Sequence, residues 1–133
     1  LDFGNRHDII YRYSKTDNYI FNPIREPYSL SAPRGYEKEK YYNPDGKVIG
    51  DVWNINMLGQ NDKTERVGYA TQQPIALIER IITASSNEND LVGDFYCGSG
   101  TTLVAAKKLK RNFVGCDTNP KAVEISKKRL SNM

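Results

Sequence analysis

The residues of this sequence whose types and spacing could hold a ligand lie in Asp94-Phe95-Tyr96-Cys97-Gly98-Ser99-Gly100-Thr101-Thr102. Gly98 and Gly100 let the backbone turn tightly and approach a ligand where side chains would clash. A helix opening after such a turn points unpaired N–H groups and its positive dipole end at an acidic ligand group. Nineteen positions after Gly98, Asp117 ends the run Asn112-Phe113-Val114-Gly115-Cys116. Strand, glycine turn, helix, strand and acid together hold a nucleoside, the acid accepting hydrogen bonds from the ribose hydroxyls. A dinucleotide fingerprint asks for a third glycine where this chain has Leu103. A nicotinamide-dependent oxidoreductase is therefore the weaker reading. The plain alternatives are a glycine turn of an ordinary α/β protein and, for Asp117, a simple helix N-cap.

The elements that must position these residues read as β-α-β-α. A strand is expected over 91–95 and a helix from about 100 to 110, with Leu103, Val104, Ala106 and Leu109 inside. A strand over 112–117 follows, and Thr118-Asn119-Pro120 starts a last helix with Ala122, Val123, Ile125 and Leu130 as its apolar face. A helical crossover implies parallel strands and a right-handed connection. Upstream, Pro74 suits a first helical position. Ile75, Leu77, Ile78, Ile81 and Ile82 then recur as a wide apolar face, and Ser85-Ser86-Asn87-Glu88-Asn89-Asp90 ends that helix in turn chemistry.

The run from Asp94 to Thr102 resembles motif I of amino-methylating DNA methyltransferases, D-P-F-x-G-S-G-T-T, without the proline after the acid. Thr71-Gln72-Gln73-Pro74 resembles their motif X, T-Q-K-P, with Gln73 in the lysine position, and Asp117-Thr118-Asn119-Pro120 matches their second motif. The resemblance implies an α/β, partial Rossmann-like, S-adenosylmethionine-dependent methyltransferase fold with a loop-rich target-recognition insertion. It implies that Asp94, Gly98, Gly100, Thr101 and Thr102 cradle the methionine end of S-adenosylmethionine, with Phe95 and Tyr96 near the cofactor. Asp117 would hold the ribose, and Thr71 and Gln73 would close over the methionine. Motif X followed by motif I corresponds to the β-type order of catalytic half, target recognition, then cofactor binding. Residues 1–22 would then be a late strand hairpin of the catalytic sheet, 23–68 the target-recognition region, and 69–133 the cofactor-binding segment.

The first two regions carry their own local signals. Ile9-Ile10-Tyr11-Arg12-Tyr13 and Tyr19-Ile20-Phe21 flank the turn residues Lys15-Thr16-Asp17-Asn18 and read as a β-hairpin. His7, the sole histidine, has no second ligand of its kind for a metal site, and no metal is expected; a strand-start position is favoured over a catalytic base. Residues 23–68 are rich in proline and glycine. Asn43-Pro44-Asp45-Gly46 is a turn, and Lys47-Val48-Ile49 could start a strand leading into Asp51-Val52-Trp53. Arg25, Arg34, Tyr36, Lys38 and Lys40 interleave cations with an aromatic, a composition suited to phosphates and exposed bases. A solvated insertion whose tyrosines cover a small core of its own is the alternative.

The resemblance also implies a (D/N/S)-P-P-(Y/F/W) tetrapeptide that polarises the target amine, on a base flipped out of its duplex. No Pro-Pro pair occurs in this sequence, so no catalytic residue is assigned within it. The expectation is a fragment of a site-specific methyltransferase of double-stranded DNA acting on N6 of adenine, completed by an N-terminal catalytic half or a second chain. N4 of cytosine, RNA as substrate, and a non-catalytic module completing a split enzyme stay open. The net charge of +3 falls entirely in residues 71–133, at two helix ends where cations suit the dipole anyway, so it supports nucleic-acid binding weakly. Cys97 and Cys116 lack zinc-ligand spacing and fit reduced, half-buried thiols of a cytoplasmic, prokaryotic protein. No apolar run reaches the length of a membrane span. Two strands leave an open edge that the absent half, another chain or self-association into a homo-oligomer would cover, so the isolated chain is expected to be aggregation-prone or oligomeric.

Overall fold

The computed structural model describes residues 7–28, 43–59 and 62–133. In chain order its elements are β1 (Arg25–Glu26), β2 (Lys47–Val48), α1 (Ile75–Ser85), β3 (Leu91–Asp94), α2 (Thr101–Lys108), β4 (Asn112–Gly115) and α3 (Pro120–Ser131). β3 and β4 are parallel, in register from Leu91 opposite Asn112 to Asp94 opposite Gly115. α2 is the crossover between them, as a parallel pair requires. Both helix-starting prolines stand where a missing N–H does no harm. Pro120 opens α3, whereas Pro74 is the cap residue before α1, extended at φ −61° and ψ 134°.

The core lies where α1 crosses α2. Ile82, Ala105 and Ala106 are buried there, with Ile75, Ile78, Val92, Leu109 and Phe113 packed around them. Ala105 and Ala106 are fully buried; their small side chains let the two helices approach closely. Burying Ile82 contributes about 2–3 kcal/mol. α3 also packs on α2, and its Ala122 and Ser126 are buried. Ser85 and Ser86 hydroxyls turn back onto Ile81 O and Ile82 O, each at 2.6 Å, and finish α1. Asn22 completes that end from far away in sequence: its amide donates to Thr83 O at 3.1 Å and Ser86 O at 2.9 Å, satisfying carbonyls that a helix end leaves open.

Two expectations are corrected. No strand forms in residues 7–22. The alternation of tyrosine and arginine is resolved by side chains instead. The Arg12 guanidinium lies over Tyr19 at 4.3 Å and Phe21 at 5.4 Å, and it donates to Ile20 O. An isolated hairpin is marginal without further strands to pack on. The second correction is the strand expected to run from 47 into Trp53. It ends at Val48, paired antiparallel with Arg25–Glu26. Trp53 instead donates its indole N–H to Gly50 O at 2.9 Å and lies under the Arg80 guanidinium. His7 is exposed and starts no strand. No described helix is long and apolar enough to cross a membrane.

Candidate functional site

Beyond Asp94 the chain leaves β3 and turns before entering α2. The turn is left-handed at two points, Gly98 (φ 50°) and Gly100 (φ 77°), where a side chain carries strain. Gly100 is also the cap of α2, and a Cβ there would stand 2.6 Å from Ser126 Oγ. The adjacent strand is equally tight. A Cβ on Gly115 would stand 2.8 Å from both methyls of Leu103. Cys97 N–H bonds Cys116 O at 3.0 Å and Cys116 N–H bonds Asp94 O at 3.1 Å, so the strand pairing extends beyond β3 and β4 to the base of the turn.

Asp117 lies at the end of this extension. Its Oδ2 accepts from Gly98 N–H at 2.8 Å and its Oδ1 from Asn119 N–H at 2.9 Å. These bonds, Asn119 first, hold its carboxyl below the ordinary carboxylate pKa. Asp117 is not the cap of α3. Asn119 is, accepting from Lys121 N–H at 3.0 Å. Each Asp117 oxygen keeps a lone pair for a further donor, which is the chemistry a ribose diol requires. Asp94 points its Oδ1 at Tyr96 N–H (3.1 Å), while Phe95 and Tyr96 present exposed rings beside the turn. Thr101 is buried and Thr102 half-buried in the first turn of α2.

The segment before α1 reaches the turn by an unexpected residue. Thr71 and Gln73 are both exposed. Gln72 is the buried one: its Oε1 accepts from Val67 N–H and its Nε2 donates to Glu65 O, each at 2.9 Å. Glu65 in turn accepts from Ile75 N–H at 2.6 Å, an acid at a helix start where the dipole favours it. This buckle carries Tyr69, whose ring packs against Gly98. On the other side, Ser126 and Arg129 of α3 bond the carbonyls of Gly98 and Ser99. Tyr69, Gln72, Glu65, Ser126 and Arg129 were not legible as site residues. For Ser126 the available signal was a polar residue on the apolar face of α3.

The structure thus brings Asp94, Phe95, Tyr96, Gly98, Gly100, Thr101, Thr102 and Asp117 together around one turn. Thr71 and Gln73 stand on the adjoining segment with their side chains in solvent. Arg25 is exposed in β1 and donates to Gly46 O at 2.8 Å. Arg34, Tyr36, Lys38 and Lys40 lie outside the described residues. Cys97 is buried, which pushes its thiol pKa up, while Cys116 is exposed; both are free.

Comparison with known proteins matches this architecture. A family model described as DNA methylase, of the N6/N4 type, covers residues 2–128. The chain is 40% identical over 136 residues to the Type II methyltransferase M1.MboII of Moraxella bovis, spanning 91% of this chain and 52% of that protein. It is 35% identical over 135 residues to the Type II methyltransferase M.BglII of Bacillus subtilis, spanning 97% of this chain and 37% of that one. The chain therefore spans about half or less of the length of these relatives. Among solved structures, PvuII DNA methyltransferase (cytosine-N4-specific) superposes with a TM-score of 0.54 at 20% identity, over 79% of this chain and 48% of that one, a likeness of fold. With the family match extending across nearly all of its residues, the chain belongs to the amino-methylating DNA methylase family.

Proposed function

We propose that this chain supplies the S-adenosylmethionine-binding portion of a site-specific DNA methyltransferase, acting on the exocyclic N6 of adenine in double-stranded DNA in the cytoplasm of a prokaryotic cell. The observation that carries the proposal is the Asp117 carboxylate held against Gly98 N–H at the mouth of the glycine turn. Donor and acceptor chemistry there suit a nucleoside with a charged amino-acid tail. Asp117 offers lone pairs to the ribose hydroxyls. Phe95 and Tyr96 offer exposed aromatic faces. The start of α2, with Thr101 and Thr102, would hold the carboxylate of the methionine end, and Thr71 and Gln73 would close over it from the segment before α1. When bound, S-adenosylmethionine supplies an electrophilic methyl group on a sulfonium.

In this proposal residues 69–133 form the cofactor segment, and 23–68 contribute to target recognition through Arg25, Arg34, Tyr36, Lys38 and Lys40. The Pro-Pro tetrapeptide is not among these residues. Transfer therefore draws it from the rest of the polypeptide or from a second chain. The N4 of cytosine offers the same amino chemistry and is the alternative acceptor.

Calorimetric titration with S-adenosylmethionine, with NAD as comparator, tests the cofactor. Binding of the methyl donor alone is expected; binding of NAD alone would overturn the proposal. Digestion and chromatography of DNA methylated by the complete enzyme tests the acceptor, with N6-methyladenine expected and N4-methylcytosine moving the assignment to cytosine.

A further inference from the structure

Three contacts from the glycine turn converge on one nitrogen of α3. Arg129 Nη1 lies 2.8 Å from Ser99 O, 3.0 Å from Thr101 Oγ1 and 3.3 Å from Ser99 Oγ. One turn earlier in the helix, Ser126 Oγ donates to Gly98 O at 2.9 Å. Positions three apart share a helix face, so a single face of α3 takes the carbonyls of two successive peptides. The described chain contains no cis peptide. In a trans peptide the N–H points opposite to the C=O of the same plane. Anchoring Gly98 C=O on α3 therefore turns Ser99 N–H away from α3. Anchoring Ser99 C=O likewise directs Gly100 N–H, which closes the turn onto Cys97 O at 2.7 Å.

Arg129 occupies the last turn of α3, where a cation would suit the helix dipole without any partner. It is instead half-buried and folded onto another element. Burial presses its pKa down, and the nearby Glu65 carboxylate opposes this. Glu65 belongs to the buckle that carries Tyr69 to Gly98. Arg129 thus bonds the glycine turn directly and feels the charge of the segment preceding α1.

Resting on the S-adenosylmethionine reading above, we infer that Arg129 is a positioning residue of the cofactor site, holding the Gly98–Thr101 turn from behind so that its outward-facing groups meet the ligand in one fixed arrangement. It touches no reacting atom. Its effect passes through the turn.

The test uses the full chain with Arg129→Gln, Arg129→Lys and Ser126→Ala. Three quantities are read: S-adenosylmethionine affinity, melting temperature, and the backbone amide spectrum of the ligand-free protein. Arg129→Gln is expected to weaken binding by about tenfold, the effect of one charge-assisted hydrogen bond. It should shift the amides of Gly98, Ser99, Gly100 and Thr101 while leaving those of α1 in place. Arg129→Lys should recover much of the affinity, because all three contacts fall on one nitrogen and an ammonium carries three N–H donors. A folded Arg129→Gln with unchanged affinity and unchanged turn amides would overturn the inference. So would equal losses in the Gln and Lys variants that simply track their melting temperatures. If Arg129→Gln does not fold, Arg129→Lys and Ser126→Ala decide by the same two criteria. A folded wild-type chain that binds no S-adenosylmethionine counts against the cofactor reading itself, and the ligand-free amide spectra then decide whether Arg129 sets the turn.

Discussion

Asp117 and Gly98 are joined directly: the carboxylate Oδ2 accepts the Gly98 peptide N–H at 2.8 Å across nineteen positions of chain. The acid is thereby both a part of the turn and, in the proposed function, a lining group of the cofactor site. Asn119 N–H holds the other oxygen, so the carboxylate cannot rotate freely toward solvent.

Asp117 should show this in its pH dependence. Its folded pKa lies below the ordinary 3.8 because both bonds favour the charged form. The sign follows by linkage: the stabilisation is complete above the unfolded value and is lost as pH falls through the lower folded value. The Gly98 amide resonance, followed from neutral pH downward, should titrate with its midpoint below 3.8. A transition centred at or above 3.8 would contradict the bond. Asp117→Ala should weaken S-adenosylmethionine binding by about tenfold, from the loss of the acceptor for the ribose; wild-type affinity in that variant would remove Asp117 from the site.

Gly100 should tolerate no side chain. Its φ of 77° and the 2.6 Å approach of a Cβ to Ser126 Oγ act together. Gly100→Ala is expected to destabilise the protein by about 2 kcal/mol or more. Adding Ser126→Gly removes the nearest clash and should restore part of the loss, leaving the left-handed strain. Denaturant titration of the single and double variants measures both parts.

Gln72 and Gln73 should separate stability from binding. Gln72→Ala orphans Val67 N–H and Glu65 O, a loss of about 1–3 kcal/mol. Gln73→Lys changes an exposed side chain and should leave the melting temperature unchanged. In the proposed site it adds an attraction for the methionine carboxylate, so S-adenosylmethionine should bind severalfold tighter, with the gain shrinking as salt rises. Equal affinities at low salt would place residue 73 away from the carboxylate.

Leu91, Phe95 and Tyr96 are 70%, 65% and 89% exposed along and beyond β3. An apolar rim beside a strand with an open side invites pairing. The chain on its own should therefore sediment as a concentration-dependent mixture, and a single monomer species across a hundredfold range of concentration would contradict this. The partner surface is proposed to be the catalytic portion, whose addition should produce one defined species.

Local structure could be read from residue types and spacing alone. Glycines at 98 and 100, an apolar run before them and an acid at a set distance after them specify strand, turn, helix and strand, because each depends on a residue's own backbone preference or on short-range periodicity. The parallel pairing follows from the helical crossover. Packing decided which face of each element meets another. Motif order alone could not tell that Gln72 turns inward and Gln73 outward, because both are polar and adjacent, and the buckle to Glu65 and Val67 selects between them. Nor could it bring Ser126 and Arg129 behind the glycine turn, since that depends on how α3 packs across α2. The expected hairpin in residues 7–22 failed for the same reason. Alternating side chains specify a strand only when a neighbouring surface exists to bury one face, and here Arg12 found Tyr19 and Phe21 instead.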